Sequence, residues 1–373
     1  MIYLDNAATT APDAEAVQAA VKYLQSDFFN PSALYKEGFE VHKQVESARR
    51  SILSHVAPVG GYELVFTGSG SEADNQVLFS CPMHGNIVTT AGEHAAVYNA
   101  AKELARRGMD VRFAELNADG SVNEESLFHL VDEKTVLVSV IHVNNETGAI
   151  NDIDSLAARV KKISPAAIFH SDGVQAFGKI PFALSGKIDL YTISAHKIGG
   201  VRGVAALIRR KGARLHPLIF GGGQENGLRS GTENTFAIKQ FEQAAEHKFS
   251  SLTKDFARVK ELNMFVRKGL DSEIFDVLSS PDASPYILSV AAKGLRGEVL
   301  LHMLNDAGVL VGTGSACSSK NRYSRVILAC GVGENRADGV LRISFFPKNT
   351  EEEVREAVRI INEKARLLAG RMR

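Results

Sequence analysis

Four apolar runs in the first 200 residues each end in side chains able to do chemistry. After Phe66 comes Thr67-Gly68-Ser69-Gly70-Ser71-Glu72-Ala73-Asp74-Asn75, and after Val143 comes Asn144-Asn145-Glu146-Thr147-Gly148. After His170 comes Ser171-Asp172-Gly173-Val174-Gln175, and after Ile193 comes Ser194-Ala195-His196-Lys197. Open parallel sheets bind ligands beyond the carboxyl ends of their strands, where such loops converge. The first segment suits a phosphate: glycines let the backbone approach, and a helix N-terminus supplies N–H groups and positive potential. A lysine in the same cleft can form a Schiff base with an aldehyde. A carboxylate at a neighbouring strand end can keep a pyridine nitrogen protonated, which turns the ring into an electron sink. Pyridoxal phosphate (PLP) needs all three features together.

Each piece alone has a plainer reading. Gly68, Gly70 and Ala73 also fit a relaxed G-x-G-x-x-A dinucleotide pattern, with Glu93 about 20 residues further on. That raises an NAD-type oxidoreductase as an alternative, although a nicotinamide cofactor has no need of the lysine. Asp172 in isolation reads as a turn residue, and a His-Lys pair as surface. Three cysteines, Cys81, Cys317 and Cys330, cannot all pair with one another, and none belongs to a CxxC. This fits a reducing compartment, where a thiol can be kept for its chemistry. Cys317 sits in Gly312-Thr313-Gly314-Ser315-Ala316-Cys317-Ser318-Ser319, a small, polar loop composition. Cys81 precedes Pro82, and Cys330 ends the apolar run 326–329, so both read as packing residues. The eleven histidines include no HExxH and no paired Cys/His spacing, so no metal site is expected. His142 reads as a structural histidine.

The elements that must position these residues follow from periodicity. Short strands are expected at 63–66, 86–89, 111–113, 136–143, 167–170, 189–193 and 203–208. Helical spacing appears at Val41, Val45, Ala48, Ile52 and at Val97, Ala101, Leu104. Several strands are too apolar to have a wet face, which predicts an α/β fold with a mostly parallel, doubly wound sheet covered on both sides. After about residue 245 the pattern changes to an amphipathic stretch (256–270), strands near 286–290 and 341–345, and a final helix. That helix opens on a Thr350/Glu353 capping box and carries the stripe Val354, Val358, Ile361, Leu368. This divides the chain into a large domain, 14–245, and a smaller α+β domain made of 1–13 and 246–373. With 43 basic and 43 acidic residues among 373, the zero net charge argues against a general nucleic-acid binder. The start, MIYLDNAATT, has no basic n-region, and the longest apolar run is about eight residues, against about 20 for a membrane span. A cytoplasmic protein is expected.

In order along the chain, YLDNAATT (3–10), FFNPSA (28–33), GSEADN (70–75), GEHAAV (92–97) and HVNNETG (142–148) resemble the class V aminotransferase superfamily. SDGVQAFGKIP (171–181), SAHKIGG (194–200), GGGQENGLRSGTEN (221–234) and GSACSS (314–319) continue the match, and the whole is similar to cysteine desulfurases of the NifS/IscS type. The resemblance implies the PLP-dependent transferase fold of type I. It implies that Lys197 binds PLP, Asp172 pairs with the pyridine nitrogen, Gln175 bonds the ring's phenolic oxygen and His94 stacks on the ring. Gly70, Ser71, Ser194 and His196 would hold the phosphate, joined by Thr232 from the partner subunit of a homodimer. Asn145 and Arg342 would bind the substrate carboxylate, with Asn30 near it. Cys317 would accept sulfur from L-cysteine as a persulfide and pass it to an acceptor protein, such as an iron–sulfur scaffold or a thiolation pathway component. Two small departures, Gly68-Ser69-Gly70-Ser71 for the commoner Ser-Gly-Ala-Thr and Val201-Arg202-Gly203 for Pro-Lys-Gly, keep the size and the charge. Two further readings stay open at this point: a selenocysteine lyase, which would not depend on Cys317, and a non-catalytic protein that keeps the fold.

Overall fold

The computed structural model describes residues 1–314 and 322–371. Twelve strands run in chain order: β1 (Ile2–Tyr3), β2 (Tyr62–Thr67), β3 (Asn86–Thr90), β4 (Asp110–Ala114), β5 (Thr135–Ser139), β6 (Ile168–Asp172), β7 (Leu190–Ser194), β8 (Ala205–Arg210), β9 (Phe275–Val277), β10 (Ile287–Ala292), β11 (Val309–Leu310) and β12 (Val340–Ser344). Seven of them form one sheet in the order β2-β8-β7-β6-β5-β3-β4. β8 runs antiparallel to both its neighbours, and the other pairings are parallel. β3 and β7 are buried at every residue, as expected for a sheet with helices on both faces. The chain leaves β3 outward to β4 and returns to β5 on its other side. This reversal is the topological switch point at which open sheets form their ligand crevice.

The expected helices are present. In Lys36–Ser54 the side chains of Val41, Val45, Ala48 and Ile52 face the core, and in Ala95–Arg106 those of Val97, Ala101 and Leu104 do. A second core joins Leu4 and Ala7 to Val259, Leu288, Leu341, Val354, Ile361 and Leu368, around the antiparallel sheet β12-β10-β9. The final helix, Glu351–Arg371, opens on the expected reciprocal box: Thr350 Oγ1 accepts from Glu353 N, and the Glu353 carboxylate accepts from Thr350 N, both at 3.1 Å. The run 136–143 departs from expectation, because its strand ends at Ser139. Val140 N and His142 N still follow β6, donating to His170 O and Asp172 O. On the other side Ile141 N donates to the Glu93 carboxylate at 2.9 Å instead of to a strand, so the segment leaves the sheet. Among the described residues no helix is long and apolar enough to cross a membrane.

Residues 1–10 link the two cores. β1 pairs with β11, Ala7 N donates to Ser344 Oγ (2.9 Å), and Thr10 N donates to His196 O (2.9 Å). The N-terminal strap therefore runs from the small sheet to the end of β7.

Candidate active site

Lys197 ends a single 3₁₀ turn, Ala195–Lys197, that directly follows β7. The turn closes tightly because a Cβ on Gly200 would come within 2.4 Å of Ala195 Cβ. The half-buried Lys197 Nζ donates to Ala7 O and Ala8 O, both at 2.7 Å. The strap thus supplies two carbonyl acceptors that aim the amine. Beside it, His196 Nδ1 lies 3.2 Å from Thr9 Oγ1, and burial with the Lys197 charge pushes its pKa down to about 4.

Asp172 ends β6, and its Oδ1 accepts from Val174 N at 2.9 Å. Gly173 has no alternative here, since a Cβ would sit 1.9 Å from Tyr191 Cζ. Carboxylate oxygens of Asp172 and Asp74 and a ring nitrogen of His94 all lie within 4.8 Å of one another. His94 caps the helix Ala95–Arg106, its Nδ1 accepting from Ala96 N at 3.2 Å. A ring nitrogen that accepts cannot carry a proton, so the imidazole proton belongs on Nε2. Burial holds the His94 pKa below its usual value, the Lys197, Arg325 and Arg342 charges add to this, and Asp172 opposes it. Burial raises Asp172, while the His94 and Lys197 charges counter it. Asp74 is raised further by burial and by Asp172, and its Oδ1 has no hydrogen-bond partner. Beneath them His170 is held neutral by burial, down to about 3, between Ser139 Oγ and Thr192 Oγ1.

The phosphate-sized cradle lies at the start of the helix Gly70–Phe79, which Ser69 caps by accepting from Glu72 N. A Cβ on Gly70 would stand 3.2 Å from Val174 Cγ2 and 3.8 Å from Ser194 Cβ, so the turn after β6 and the end of β7 close in on this cradle. Ser71 is exposed, and Ser194 is buried at the end of β7. The donor set fits PLP: an N-terminal helical turn for the phosphate, a buried carboxylate for the ring nitrogen and an amine on the adjoining strand end.

Arg342, on β12, is buried and donates through Nη1 to Asn145 O and through Nη2 to Asp5 Oδ1, both at 2.9 Å. Its Nε and Asn145 Oδ1 are buried without hydrogen-bond partners. Two of the five guanidinium N–H groups are thus engaged, which leaves a fork open for a carboxylate. Next to Asn145, the Glu146 carboxylate accepts from Ser324 Oγ, and burial pushes its pKa up to about 7. Asn30 is exposed, and its Oδ1 accepts from Ser32 N (2.9 Å) within its own turn. Thr232 is exposed on the surface segment after the 3₁₀ turn Glu225–Gly227. Cys317 lies outside the described residues.

The Aminotransferase class-V family model matches residues 2–356 of this chain. A protein named cysteine desulfurase from Trichormus azollae is 35% identical over 372 residues, covering 97% of this chain and 92% of its own length. "Cysteine desulfurase IscS 1" from Archaeoglobus fulgidus is 35% identical over 371 residues, covering 97% and 96%. The chain belongs to the class-V aminotransferases. Among solved structures, one titled NifS-like protein is similar at TM-score 0.91 and 34% identity, covering 98% of this chain and all of that one. Another, titled SspA in complex with cysteine, is similar at TM-score 0.80 and 28% identity, covering 94% and 100%. The fold is therefore the NifS-like class-V α/β fold.

Within this class-V site the dinucleotide reading falls away. Glu93 is fully buried, with Oε1 accepting from Thr90 Oγ1 (2.8 Å) and Ile141 N (2.9 Å), so it cannot reach a ribose. Gly68 N is likewise engaged, donating to Glu72 Oε2. Sequence reasoning missed Asp5, Asp74 and Lys179, and the Ala7 and Ala8 carbonyls. Only Lys179 left a signal, four residues after Gln175 in the turn that follows β6.

Proposed function

We propose that this class-V enzyme is a PLP-dependent cysteine desulfurase, acting through Lys197, Asp172, His94 and Cys317. One observation carries the reading: the Lys197 amine, the buried Asp172 carboxylate and the His94 ring act on one another at the strand ends that also form the Gly70 cradle. Arg342 and Asn145 hold the carboxylate of L-cysteine. Gly70, Ser71, Ser194 and His196 would hold the phosphate, Gln175 would hydrogen-bond the ring oxygen and Asp172 would keep the ring nitrogen protonated. The cofactor, when bound, supplies the electron sink for charge developing at the substrate Cα. Lys197, aimed by the Ala7 and Ala8 carbonyls, moves the Cα proton. Cys317 attacks the substrate sulfur as a thiolate, and the balance is L-cysteine plus Cys317 thiol giving L-alanine plus Cys317 persulfide. An acceptor protein, such as an iron–sulfur scaffold, takes the terminal sulfur.

The large domain is 14–245, and 1–13 with 246–373 form the small one. The enzyme is a homodimer, a reading supported by large apolar side chains left in water: Leu24 at 62%, Phe28 at 64%, Leu34 at 103%, Phe39 at 54% and Phe220 at 80%. In that dimer Thr232 completes the partner's phosphate site. An odd number of cysteines, with Cys81 and Cys330 free among the described residues, favours the cytoplasm. Borohydride reduction of the protein incubated with PLP, followed by peptide mapping, tests the core of the proposal. The label is expected on Lys197 and absent from Lys197→Ala, and Cys317→Ala is expected to stop sulfide release from cysteine. A label on another lysine, or undiminished turnover by Cys317→Ala, overturns it.

A further inference from the structure

Lys179 is 5% exposed, an unusual burial for an amine. The charges acting on it are those of Lys197, Lys248 and Arg342, all cations, and burial and these neighbours hold its pKa well below the ordinary value. No carboxylate among the described residues pairs with it. Such an arrangement costs free energy, so a residue that only filled space there would be better apolar. Among the described residues the Lys179 amine makes one hydrogen bond: Nζ donates to Gln175 Oε1 at 2.7 Å. Its other contact is the Tyr286 ring, 5.8 Å from Nζ.

The opposite end of the Gln175 amide is fixed as well. Gln175 Nε2 donates to Ala7 O at 2.9 Å, and this same oxygen accepts from Lys197 Nζ at 2.7 Å. A chain of contacts thus joins the buried amine to the cofactor lysine: Lys179, the Gln175 amide, the Ala7 carbonyl, Lys197. A glutamine amide can sit in two orientations that differ only by exchange of oxygen and nitrogen. With a donor at one end and a carbonyl at the other, only one orientation satisfies both. In it the NH₂ group lies on the Lys197 side, one N–H engaged with Ala7 O and the second left to give.

We propose that Lys179 is a positioning residue that locks the Gln175 amide so that it offers a donor to the ring oxygen of the aldehyde cofactor. The inference builds on the PLP reading above and adds a residue to it. Flipped, the amide would set its carbonyl against Ala7 O and against an anionic ring oxygen, two repulsions in place of two hydrogen bonds.

The test uses the holoenzyme and reads cofactor affinity and spectrum rather than turnover. Lys179→Met keeps the stem and removes the donor. Loss of one hydrogen bond of about 0.5–1.5 kcal/mol predicts PLP binding weakened by roughly 2- to 10-fold, and an altered ratio of the visible to the near-ultraviolet band. Gln175→Ala should give a similar loss, and the double variant no more than about twofold beyond either single one, because the two residues act as a unit. Effects that multiply overturn the proposal. So does a Lys179→Met protein that melts earlier but binds PLP with unchanged affinity and spectrum. Gln175→Glu leaves Lys179 in place and keeps the question open to refutation if Lys179→Met does not fold. It turns an acceptor toward Ala7 O and the ring, so it should bind PLP more weakly than Gln175→Ala, and equal or tighter binding sinks the idea. A PLP spectrum that survives Lys197→Ala, with Lys179 and Gln175 unchanged, would instead mark failure of the PLP reading itself.

Discussion

Arg342→Ala separates substrate recognition from every other role in the site. In the folded chain this guanidinium uses one N–H on Asn145 O and one on Asp5 Oδ1, and its buried Nε has no hydrogen-bond partner. A carboxylate reaching the open fork gains two charge-assisted hydrogen bonds, each about 1.5 kcal/mol at the low end of their range. Losing both, about 3 kcal/mol, lowers kcat/KM for L-cysteine by roughly a hundredfold, at about 1.4 kcal/mol per tenfold. Arg342→Lys keeps the charge without the fork and should recover about a tenth of the wild-type value. The assay compares L-cysteine with cysteamine, which lacks the carboxylate. Wild type should favour cysteine by about the same hundredfold, and Arg342→Ala should use the two almost equally. The Asp5 side chain is 22% exposed and can turn to water, so a separate loss of about 1–3 kcal/mol in stability is expected and is read from Tm. An Arg342→Ala enzyme that still prefers cysteine by more than about tenfold would refute the assignment.

Glu146→Gln should gain stability relative to wild type as pH rises. Burial lifts the Glu146 pKa from 4.5 to about 7, so the folded state holds a proton that the unfolded state releases, and stability falls as pH climbs through that window by roughly 3 kcal/mol. The difference in Tm between variant and wild type should therefore grow from pH 5 to pH 8, and a constant difference would contradict the burial argument. Glu225→Ala takes two hydrogen bonds from the Arg49 guanidinium (2.6 and 3.0 Å), leaving it Glu46 and Leu64 O, and leaves Phe66 N without its acceptor. A loss of about 3–5 kcal/mol in denaturant unfolding is expected, and most of it should be coupled to Arg49 in a double-mutant cycle. Burial pushes the thiols of Cys81 and Cys330 up to about 12, so iodoacetamide near pH 7.5 should label one cysteine per chain quickly and none in Cys317→Ala. Rapid labelling of a second site would count against this.

Much of the site was legible because its residues sit just after apolar runs. Asp172 at the end of β6 and Lys197 after β7 are local facts, a run followed by a turn, and the rule about strand carboxyl ends brings them together without coordinates. Helical periodicity and the Thr350/Glu353 box were readable for the same reason. What could not be read depends on distant pairing. Asp5 and Arg342 are 337 residues apart, and Arg49 and Glu225 are 176 apart, so neither pair leaves a spacing to recognise. Asp74 lies inside GSEADN, on the helix Gly70–Phe79, where a helical carboxylate gives no sign in the sequence that it is buried. β8 is apolar like its neighbours, and an apolar run carries no sign of its direction. Residues 140–143 are as hydrophobic as a strand, and the Glu93 carboxylate that takes their N–H lies too far along the chain to be foreseen.

The titratable groups of the pocket are tied to its ligands through their charge. Burial raises Asp74, Glu93, Glu146 and Asp172, and lowers His94, His170, His196 and Lys179. Acids and bases alike are driven toward their neutral forms, so the low-polarity strand ends are short of charge by themselves. A ligand that brings a phosphate, a protonated ring nitrogen and a carboxylate supplies charges opposite to groups already fixed in place: helix N–H groups at Gly70, the carboxyl of Asp172 and the fork of Arg342. The ring-nitrogen charge shifts Asp172 back toward ionisation, so binding must be accompanied by net proton exchange with solvent. The same complementarity stabilises the folded chain in proportion to the logarithm of ligand concentration over Kd. A site arranged this way is specific by electrostatics: an uncharged analogue of the same shape would leave the Asp172 carboxyl without the ring-nitrogen charge and the buried Nε of Arg342 without an acceptor, the costly outcome in a medium of low polarity.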